Sequence, residues 1–187
     1  MEKCPVLTDV FHTEEDIEKV IDAIPSKAAC GPDGWTALFV KAIKVPLARF
    51  LARILFKSVN KGNFPSILKE TFIMGIQKGG DKTEAVNYRP IALTSHISKI
   101  LERVIRRDIV DFLTAHELWD SRQHGSRQGH STVSQLLEHH DYILKSLEEK
   151  DNVDVIYLDF SKAFDRVEHS VLLSKIKALG ISENFGA

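Results

Sequence analysis

Apolar side chains recur every three or four residues along several stretches of this chain, a spacing that places them on one face of an α-helix. The predicted helices cover residues 13–24, 36–60, 95–116, 133–150 and 167–179. Thr13 and Asp16 have the spacing of a capping box at the start of the first helix. Pro46 is expected to divide the second stretch into two helices, because proline interrupts helical hydrogen bonding.

Two other parts of the chain have the composition of β-strands. Residues 70–77 and 87–93 flank a basic turn with two glycines, residues 78–82 (KGGDK), and this arrangement predicts a β-hairpin. Residues 155–158 (VIYL) form a short apolar run, as in a strand that is buried on both faces of a sheet. Helices combined with a hairpin and one or two central strands predict the α+β class.

Asp159 follows the VIYL run directly, and Asp165 comes a few residues later. A carboxylate at the end of a buried strand is unfavourable unless a cation pairs with it, and Mg²⁺ binds through oxygen ligands of this kind. The alternative, with equal weight on this stretch alone, is a solvent-facing Asp159 at the start of a turn. Asp165 and Glu168 have capping-box spacing, which favours a helix-capping role for Asp165.

The composition is that of a globular protein, with 187 residues that are 43% hydrophobic and 27% charged, enough for one domain with a sizeable core. The net charge of −1 shows no overall basic excess. Basic residues are nevertheless concentrated in one third of the chain, at Lys99, Arg103, Arg106, Arg107, Arg122 and Arg127. Such a cluster either binds phosphate groups or forms a solvated helix face.

The sequence contains no membrane or secretion signal. No apolar run approaches the ~18 residues of a membrane span, and the N-terminus lacks a signal-peptide pattern. Cys4 and Cys30 suggest neither a disulfide framework nor a zinc site, which fits a reducing compartment. We therefore expect an intracellular protein, cytoplasmic or nuclear, with no membrane partner and no obligate protein partner.

Four sequence blocks resemble one known family. The string LDFSKAFD, which ends at Asp165, resembles the first catalytic motif of reverse transcriptases in the form used by non-LTR (LINE-type) retrotransposons. Three blocks upstream are similar to the same family and occur in the family's order: GPDG at 31–34, the KGGDK turn with NYRPIAL at 87–93, and QHGSRQGHST at 123–132. The resemblance extends from about residue 30 to the last residue.

The resemblance implies roles for the LDFSKAFD residues. Asp159 would be the catalytic carboxylate and a ligand of two Mg²⁺ ions, and the backbone carbonyl of Phe160 would be a further metal ligand at the nucleotide site. Phe164 matches the family's aromatic residue beneath the sugar, which rejects a ribose 2′-hydroxyl. Magnesium is implied by the family, whereas the ligand set within this chain is incomplete.

The other blocks would contact nucleotide and template. Lys78 and Arg89 match the family's triphosphate-binding residues, and a point charge with a planar fork of donors suits that ligand. The alternative is an ordinary surface hairpin with Arg89 in a structural ion pair. The template or nucleotide loop would consist of Gln123, Gly125 and Arg127. Ser126 departs from the family, which usually has phenylalanine there, and Ser131 is also expected to cap the helix that follows.

By this resemblance the chain comprises the helix-rich fingers and a partial palm of a right-hand polymerase. Residues 1–29 would be an N-terminal extension, 30–150 mostly fingers, and 151–187 the opening of the palm. The family's second catalytic motif contains an Asp-Asp pair, yet no aspartate follows Asp165, so the chain is expected to stop before that motif and the thumb. We therefore expect no primer extension by the purified chain.

The implied activity is RNA-directed DNA polymerisation, the transfer of a nucleotide from a dNTP to a DNA primer on an RNA template. Two alternatives remain open at this point. The first is a non-catalytic RNA-binding module that uses Arg103, Arg106, Arg107 and Arg127, and the second is the translated relic of a dead retroelement.

Overall fold

The computed structural model describes residues 6–7 and 12–182, which fall into two compact units. The first unit contains the described residues up to Phe112 together with those from Leu173 onward, and the second contains Leu113–Leu172. In chain order the elements are α1 (Glu14–Asp22), α2 (Ala37–Ala42), α3 (Lys44–Lys61), β1 (Thr71–Gln77), β2 (Tyr88–Thr94), α4 (His96–Ala115), α5 (Thr132–Glu148) and α6 (His169–Ala178). This mixture of helices with one small sheet agrees with the predicted α+β class.

Helix α1 begins at the predicted capping box. The Asp16 backbone N–H donates to Thr13 Oγ1 over 3.2 Å, and the Thr13 N–H donates to the Asp16 carboxylate over 3.1 Å. These two bonds satisfy donors that a helix start otherwise leaves unpaired. The hydrogen bonds to Thr13, with the nearby Arg107 and Lys19 charges, also lower the pKa of Asp16.

The second predicted helical stretch is divided in two, as expected. The break lies at Ile43, just ahead of Pro46, so that the proline falls in the first turn of α3. Proline is tolerated there because a first-turn N–H has no partner within the helix. Helix α3 ends at Gly62, whose φ of 57° is left-handed.

The core of the first unit is formed by the apolar faces of α1, α2, α3 and α4. Its fully buried residues are Ile17, Ile21, Ala37, Val40, Ala48, Leu51, Ile100, Leu101 and Val104. The helical spacing of these residues in the sequence is therefore the pattern that brings the four helices together. No helix in the described part of the chain is long and apolar enough to cross a membrane.

The GPDG turn lies against the junction between β2 and α4. A Cβ atom at Gly31 would come within 2.5 Å of the Ser95 backbone nitrogen and 2.6 Å of the Thr94 carbonyl carbon. The turn is closed by the Gly34 N–H, which donates to the Gly31 carbonyl over 3.1 Å. Only glycine fits at position 31, so the turn fixes the chain segment that joins the hairpin to α4.

Residues just before α1 are joined to α4 by a polar network around His12. His12 Nε2 lies 2.7 Å from the Asp108 carboxylate, and Arg107 Nη2 lies 3.1 Å from His12 Nδ1. Because guanidinium only donates and carboxylate only accepts, Nδ1 accepts from Arg107 and Nε2 donates to Asp108. Arg107 is therefore engaged within the fold and is a weaker RNA-binding candidate than the sequence indicated.

His96 is buried at the start of α4, and neither ring nitrogen has a hydrogen-bond partner among the described residues. Burial lowers the pKa of His96, the nearby Lys99 and Arg103 charges lower it further, and Asp33 opposes them. The folded protein therefore binds a proton at His96 less readily than the unfolded chain does. The contribution of neutral His96 to the free energy of unfolding is therefore fully present at high pH. It is lost as the pH falls below about 6.5, the ordinary pKa of histidine.

Replacing His96 by leucine should reduce that pH dependence, because an apolar residue has nothing to protonate. At about pH 8 we expect His96→Leu to be nearly neutral or stabilising, since it removes two unsatisfied polar atoms from the core. Urea unfolding at about pH 8 and about pH 5 measures the change for both proteins. If the free energy of unfolding falls by the same amount between these two pH values in the variant and in the natural protein, the role assigned to His96 is wrong.

In the second unit, α5 begins at its predicted cap and α6 begins later than expected. The Ser134 N–H donates to Ser131 Oγ over 3.1 Å, which confirms Ser131 as the cap of α5. Asp165 is not the cap of α6, because residues 161–166 form turns and the helix starts only at His169. The carboxylate of Glu168 instead accepts a 2.6 Å hydrogen bond from the Ser170 hydroxyl.

Candidate functional site

The predicted site residues are distributed over both units. Lys78 and Arg89 lie on the hairpin of the first unit. The second unit contains the remaining candidates, which are Gln123, Gly125, Arg127, Asp159, Phe160 and Phe164. Each group is described within its own unit.

The predicted hairpin is confirmed, and its register places Lys78 and Arg89 on one face. Strands β1 and β2 are antiparallel, with Ile76 opposite Arg89. The Lys78 N–H donates to the Asn87 carbonyl over 2.8 Å, so the same register continues one residue beyond β1. Because strand side chains alternate between faces, Lys78 lies on the face of Ile76 and is a diagonal neighbour of Arg89.

Both cations are exposed, and neither side chain has a hydrogen bond or ion pair with any described residue. The alternative in which Arg89 forms a structural ion pair is thus not found in the described part of the chain. Other surface cations are paired, such as Arg49 with Glu14 and Arg122 with Asp120. Two free cations on one face of a hairpin have the chemistry to pair with an anion that offers several oxygens.

Apart from Arg89, the strand positions on that same face are apolar. The exposed members are Phe72, Met74, Ile76 and Ile91. The face therefore combines an apolar surface along the strands with positive charge near the turn. This combination suits a ligand with a flat, weakly polar part and a strongly anionic part.

The turn of the hairpin is fixed by side chains that bond to its backbone. The Gln77 amide donates to the Gly80 carbonyl (3.0 Å), the Asn87 amide donates to the Asp81 carbonyl (2.8 Å), and the Tyr88 hydroxyl donates to the Lys82 carbonyl (3.0 Å). These bonds give the turn a defined conformation. The roles of these polar side chains cannot be predicted from the sequence, because hydrogen bonds of this kind leave no periodic pattern.

The predicted template loop has its own internal contacts. The Gln123 amide donates to the Gly125 carbonyl over 3.1 Å. The guanidinium of Arg127 lies 5.9 Å from the ring centroid of Trp119 and donates to the Asp120 carbonyl over 3.3 Å. Ser126, which replaces the family's usual phenylalanine, has a left-handed φ of 61°. Arg127 is thus held by a cation–π contact and one hydrogen bond.

His124, within the same loop, was not predicted to have a role. Its ring is buried, with Nδ1 at 2.9 Å from Ser134 Oγ and Nε2 at 3.1 Å from the Glu138 carboxylate. Both partners belong to α5, so His124 joins the loop to that helix. Position 124 is unspecified in the family's Q-x-G pattern, which explains why motif matching did not detect it.

Half of the basic cluster predicted from the sequence is engaged in contacts within the fold. Arg122 forms a 3.0 Å ion pair with Asp120, and its hydrogen bonds lower the pKa of that carboxyl group to about 2. Arg107 contacts His12, and Arg127 lies over Trp119. Within this cluster, the exposed arginines without a partner among the described residues are Arg103 and Arg106, both on α4.

The segment that contains Asp159 differs from the prediction. Residues 151–160 form no strand, and Phe160 and Phe164 are 84% and 95% exposed. In the described part of the chain β1 and β2 pair only with each other, so residues 155–158 have no neighbouring strand to bury them. The segment is linked to α5 by His139, whose Nε2 lies 3.0 Å from the Tyr157 hydroxyl. Asp159 and Phe164 make no contact with the other described residues that would assemble a site.

The described residues do not fit a complete magnesium site. Residues 6–7 and 12–182 contain no group of three or more His, Cys, Asp or Glu side chains that could hold a metal ion. Two catalytic metals need several carboxylate or carbonyl oxygens between them, and one aspartate cannot neutralise both charges. A magnesium-dependent step has no structural basis in this part of the chain.

Comparison with known proteins identifies the relatives of this chain. A family profile described as reverse transcriptase (RNA-dependent DNA polymerase) matches residues 76–185. Over 173 residues the chain is 35% identical to a probable RNA-directed DNA polymerase from transposon BS of Drosophila melanogaster, covering 92% of this chain and 19% of that protein. It is 32% identical over 168 residues to the RNA-directed DNA polymerase from mobile element jockey of the same organism, and this match covers 89% of this chain and 18% of that protein. The chain thus spans about a fifth of the length of these curated relatives.

Proposed function

Because the chain belongs to the reverse transcriptase family, with relatives among non-LTR retrotransposon polymerases, we propose that it is the nucleotide- and template-binding part of an RNA-directed DNA polymerase. The observation that carries the proposal is the pair of free cations, Lys78 and Arg89, on one face of a hairpin with a fixed turn. A triphosphate offers several oxygens to such a pair. The Arg89 fork would bind two of them, and Lys78 would add a point charge.

The remaining roles follow from the family motifs and are part of the same proposal. The loop of Gln123, Gly125 and Arg127 would contact the RNA template, and Phe164 would lie beneath the sugar of the dNTP. Asp159 and the Phe160 carbonyl would be two of the ligands for magnesium, and the ligands that complete the site would come from the longer polymerase. Residues 30–150 would belong to the fingers and 151–187 to the palm, with the DNA primer bound by the longer polymerase.

The proposal is tested by titrating the purified chain with a fluorescent dNTP. Lys78→Ala and Arg89→Ala should each weaken binding by roughly 10- to 100-fold, because each removes charge-assisted hydrogen bonds to phosphate. Lys82→Ala is the matched control, since it removes the same charge from the same turn but leaves the backbone carbonyl that Tyr88 binds. Equal affinities for all three variants and the natural chain would contradict triphosphate binding by this face.

A second candidate function is RNA binding without catalysis, which the free guanidinium groups of Arg103 and Arg106 favour. It predicts that Arg103→Ala and Arg106→Ala weaken RNA binding and lower its salt dependence, whereas Lys78→Ala and Arg89→Ala leave dNTP binding unchanged. The two candidates are therefore distinguished by the same set of variants. If Lys78→Ala loses dNTP binding and Arg103→Ala does not weaken RNA binding, RNA binding without catalysis is excluded as the function.

A further inference from the structure

His124 is the one buried residue in Leu113–Leu172, all of which the structure describes, and its side chain is polar. Helix α5 has no buried residue of its own, so His124 is not part of an apolar core. Its surroundings instead include two polar partners at hydrogen-bonding distance, Ser134 at 2.9 Å and Glu138 at 3.1 Å. A buried side chain with directed polar contacts fixes geometry more than it contributes hydrophobic stability.

The two contacts constrain the ring in one orientation. The Glu138 carboxylate can only accept, so Nε2 donates to it. Nδ1 contacts the Ser134 hydroxyl, whose oxygen also lies 2.9 Å from the Ser131 carbonyl and can donate its single proton to either acceptor. Ser134 also accepts the Ser131 N–H over 2.9 Å, which makes it part of the cap of α5. The ring of His124 is therefore attached to the first turns of a capped helix, a rigid support for the loop.

The other end of the loop is held separately. Arg127 lies over Trp119, and the Trp119 indole N–H donates to Thr114 Oγ1 over 3.1 Å. Between the two attachments lie Gly125 and Ser126, and the left-handed φ of Ser126 is unfavourable for a residue other than glycine. Such a conformation persists only where its neighbours are fixed, so release of either attachment should change how the loop presents Arg127.

We propose that His124 is a positioning residue that holds the Gln123–Arg127 loop on α5 in the conformation that binds the RNA strand. The assignment rests on the proposed template contact of this loop. His124 acts through Arg127 and touches neither the nucleotide nor the template. Its replacement should therefore weaken RNA binding by the same route as loss of Arg127 itself.

The test measures RNA binding and loop protection in the same set of proteins. A fluorescent RNA oligonucleotide annealed to a DNA primer is titrated over a range of salt concentrations, and amide hydrogen exchange is followed at residues 125–127. His124→Ala should weaken binding roughly tenfold and lower the salt slope by about 1, as Arg127→Ala does. The double variant should be no weaker than Arg127→Ala, because the two residues act as a unit.

Two further variants separate positioning from a general structural effect. His124→Gln keeps a donor and an acceptor on the side chain and should restore most of the binding. His140→Ala, which removes an exposed histidine from the same helix, should leave both readouts unchanged. If His124→Ala increases exchange in the loop while RNA binding is unchanged and Arg127→Ala still weakens it, the positioning role is wrong. If Arg127→Ala has no effect on RNA binding, the proposed template contact fails, and the positioning role fails with it.

Discussion

Replacing Gly31 by alanine is expected to lower the free energy of unfolding of the first unit by about 3 kcal/mol or more. The new Cβ would lie 2.5 Å from the Ser95 nitrogen and 2.7 Å from the Ser95 Cα, and both atoms are backbone. No flexible side chain can move aside, so either the GPDG turn or the start of α4 must shift. Urea unfolding followed by the fluorescence of Trp35, which adjoins the turn, measures the change.

Gly34, in the same turn, provides the matched control. Its φ is +68°, but a Cβ there would meet nothing within 4 Å. Alanine at Gly34 therefore suffers only the intrinsic cost of a left-handed conformation, about 1 kcal/mol. A smaller loss for Gly31→Ala than for Gly34→Ala would mean that the turn is not packed against the junction of β2 and α4.

Replacing Leu51 by alanine is expected to destabilise the first unit by about 2–5 kcal/mol. Leu51 is fully buried on the inner face of α3, where it belongs to the cluster shared with α1 and α4. Removing its side chain loses apolar burial and leaves a cavity that the surrounding helices cannot completely fill. Thermal or urea unfolding of the variant gives the difference directly.

Phe50 is the control for this experiment because it is adjacent on α3 and 60% exposed. Phe50→Ala removes a larger side chain but little buried surface, so its effect should stay below about 1 kcal/mol. Comparable losses for the two variants would show that α3 does not present Leu51 to the core. The pair therefore tests the orientation of the helix as well as the size of the effect.

The features that the sequence predicted correctly depend on neighbours that are close along the chain. The Thr13–Asp16 capping box and the Ser131 cap each involve residues within one helical turn, and both are present. The hairpin also follows from a local signal, the two-glycine turn between apolar runs. Such elements form wherever the local pattern is favourable, so one sequence suffices to predict them.

The features that it did not predict depend on residues that are distant along the chain. Residues 155–158 have the composition of a buried strand, but a strand also needs a partner, and composition does not show whether one is available. The burial of His124 arises from its contact with α5, and the contact of Gly31 with Ser95 joins segments far apart in sequence. The contact of Arg107 with His12, which is 95 residues away in the sequence, likewise appears only in three dimensions.

The same distinction applies to the candidate site. Lys78 and Arg89 lie in family motifs, and the strand register makes them diagonal neighbours on one face. Asp159, Phe160 and Phe164 match the family motif, but the structure does not arrange them as a site. Their segment is exposed, and the described residues contain no cluster of metal ligands. The nucleotide-binding half of the proposal therefore has support from geometry, and the catalytic half rests on the family alone.

The most direct test of the account is to map the binding of a dNTP onto the chain by NMR. Backbone amide shifts of the isotopically labelled protein would be followed during titration with dTTP. The largest changes should occur at Lys78, Gly79 and Arg89, with smaller ones along β1 and β2. All of these changes should disappear in Lys78→Ala and Arg89→Ala. Changes confined to other elements, or none at the hairpin at saturating nucleotide, would contradict nucleotide binding by the hairpin.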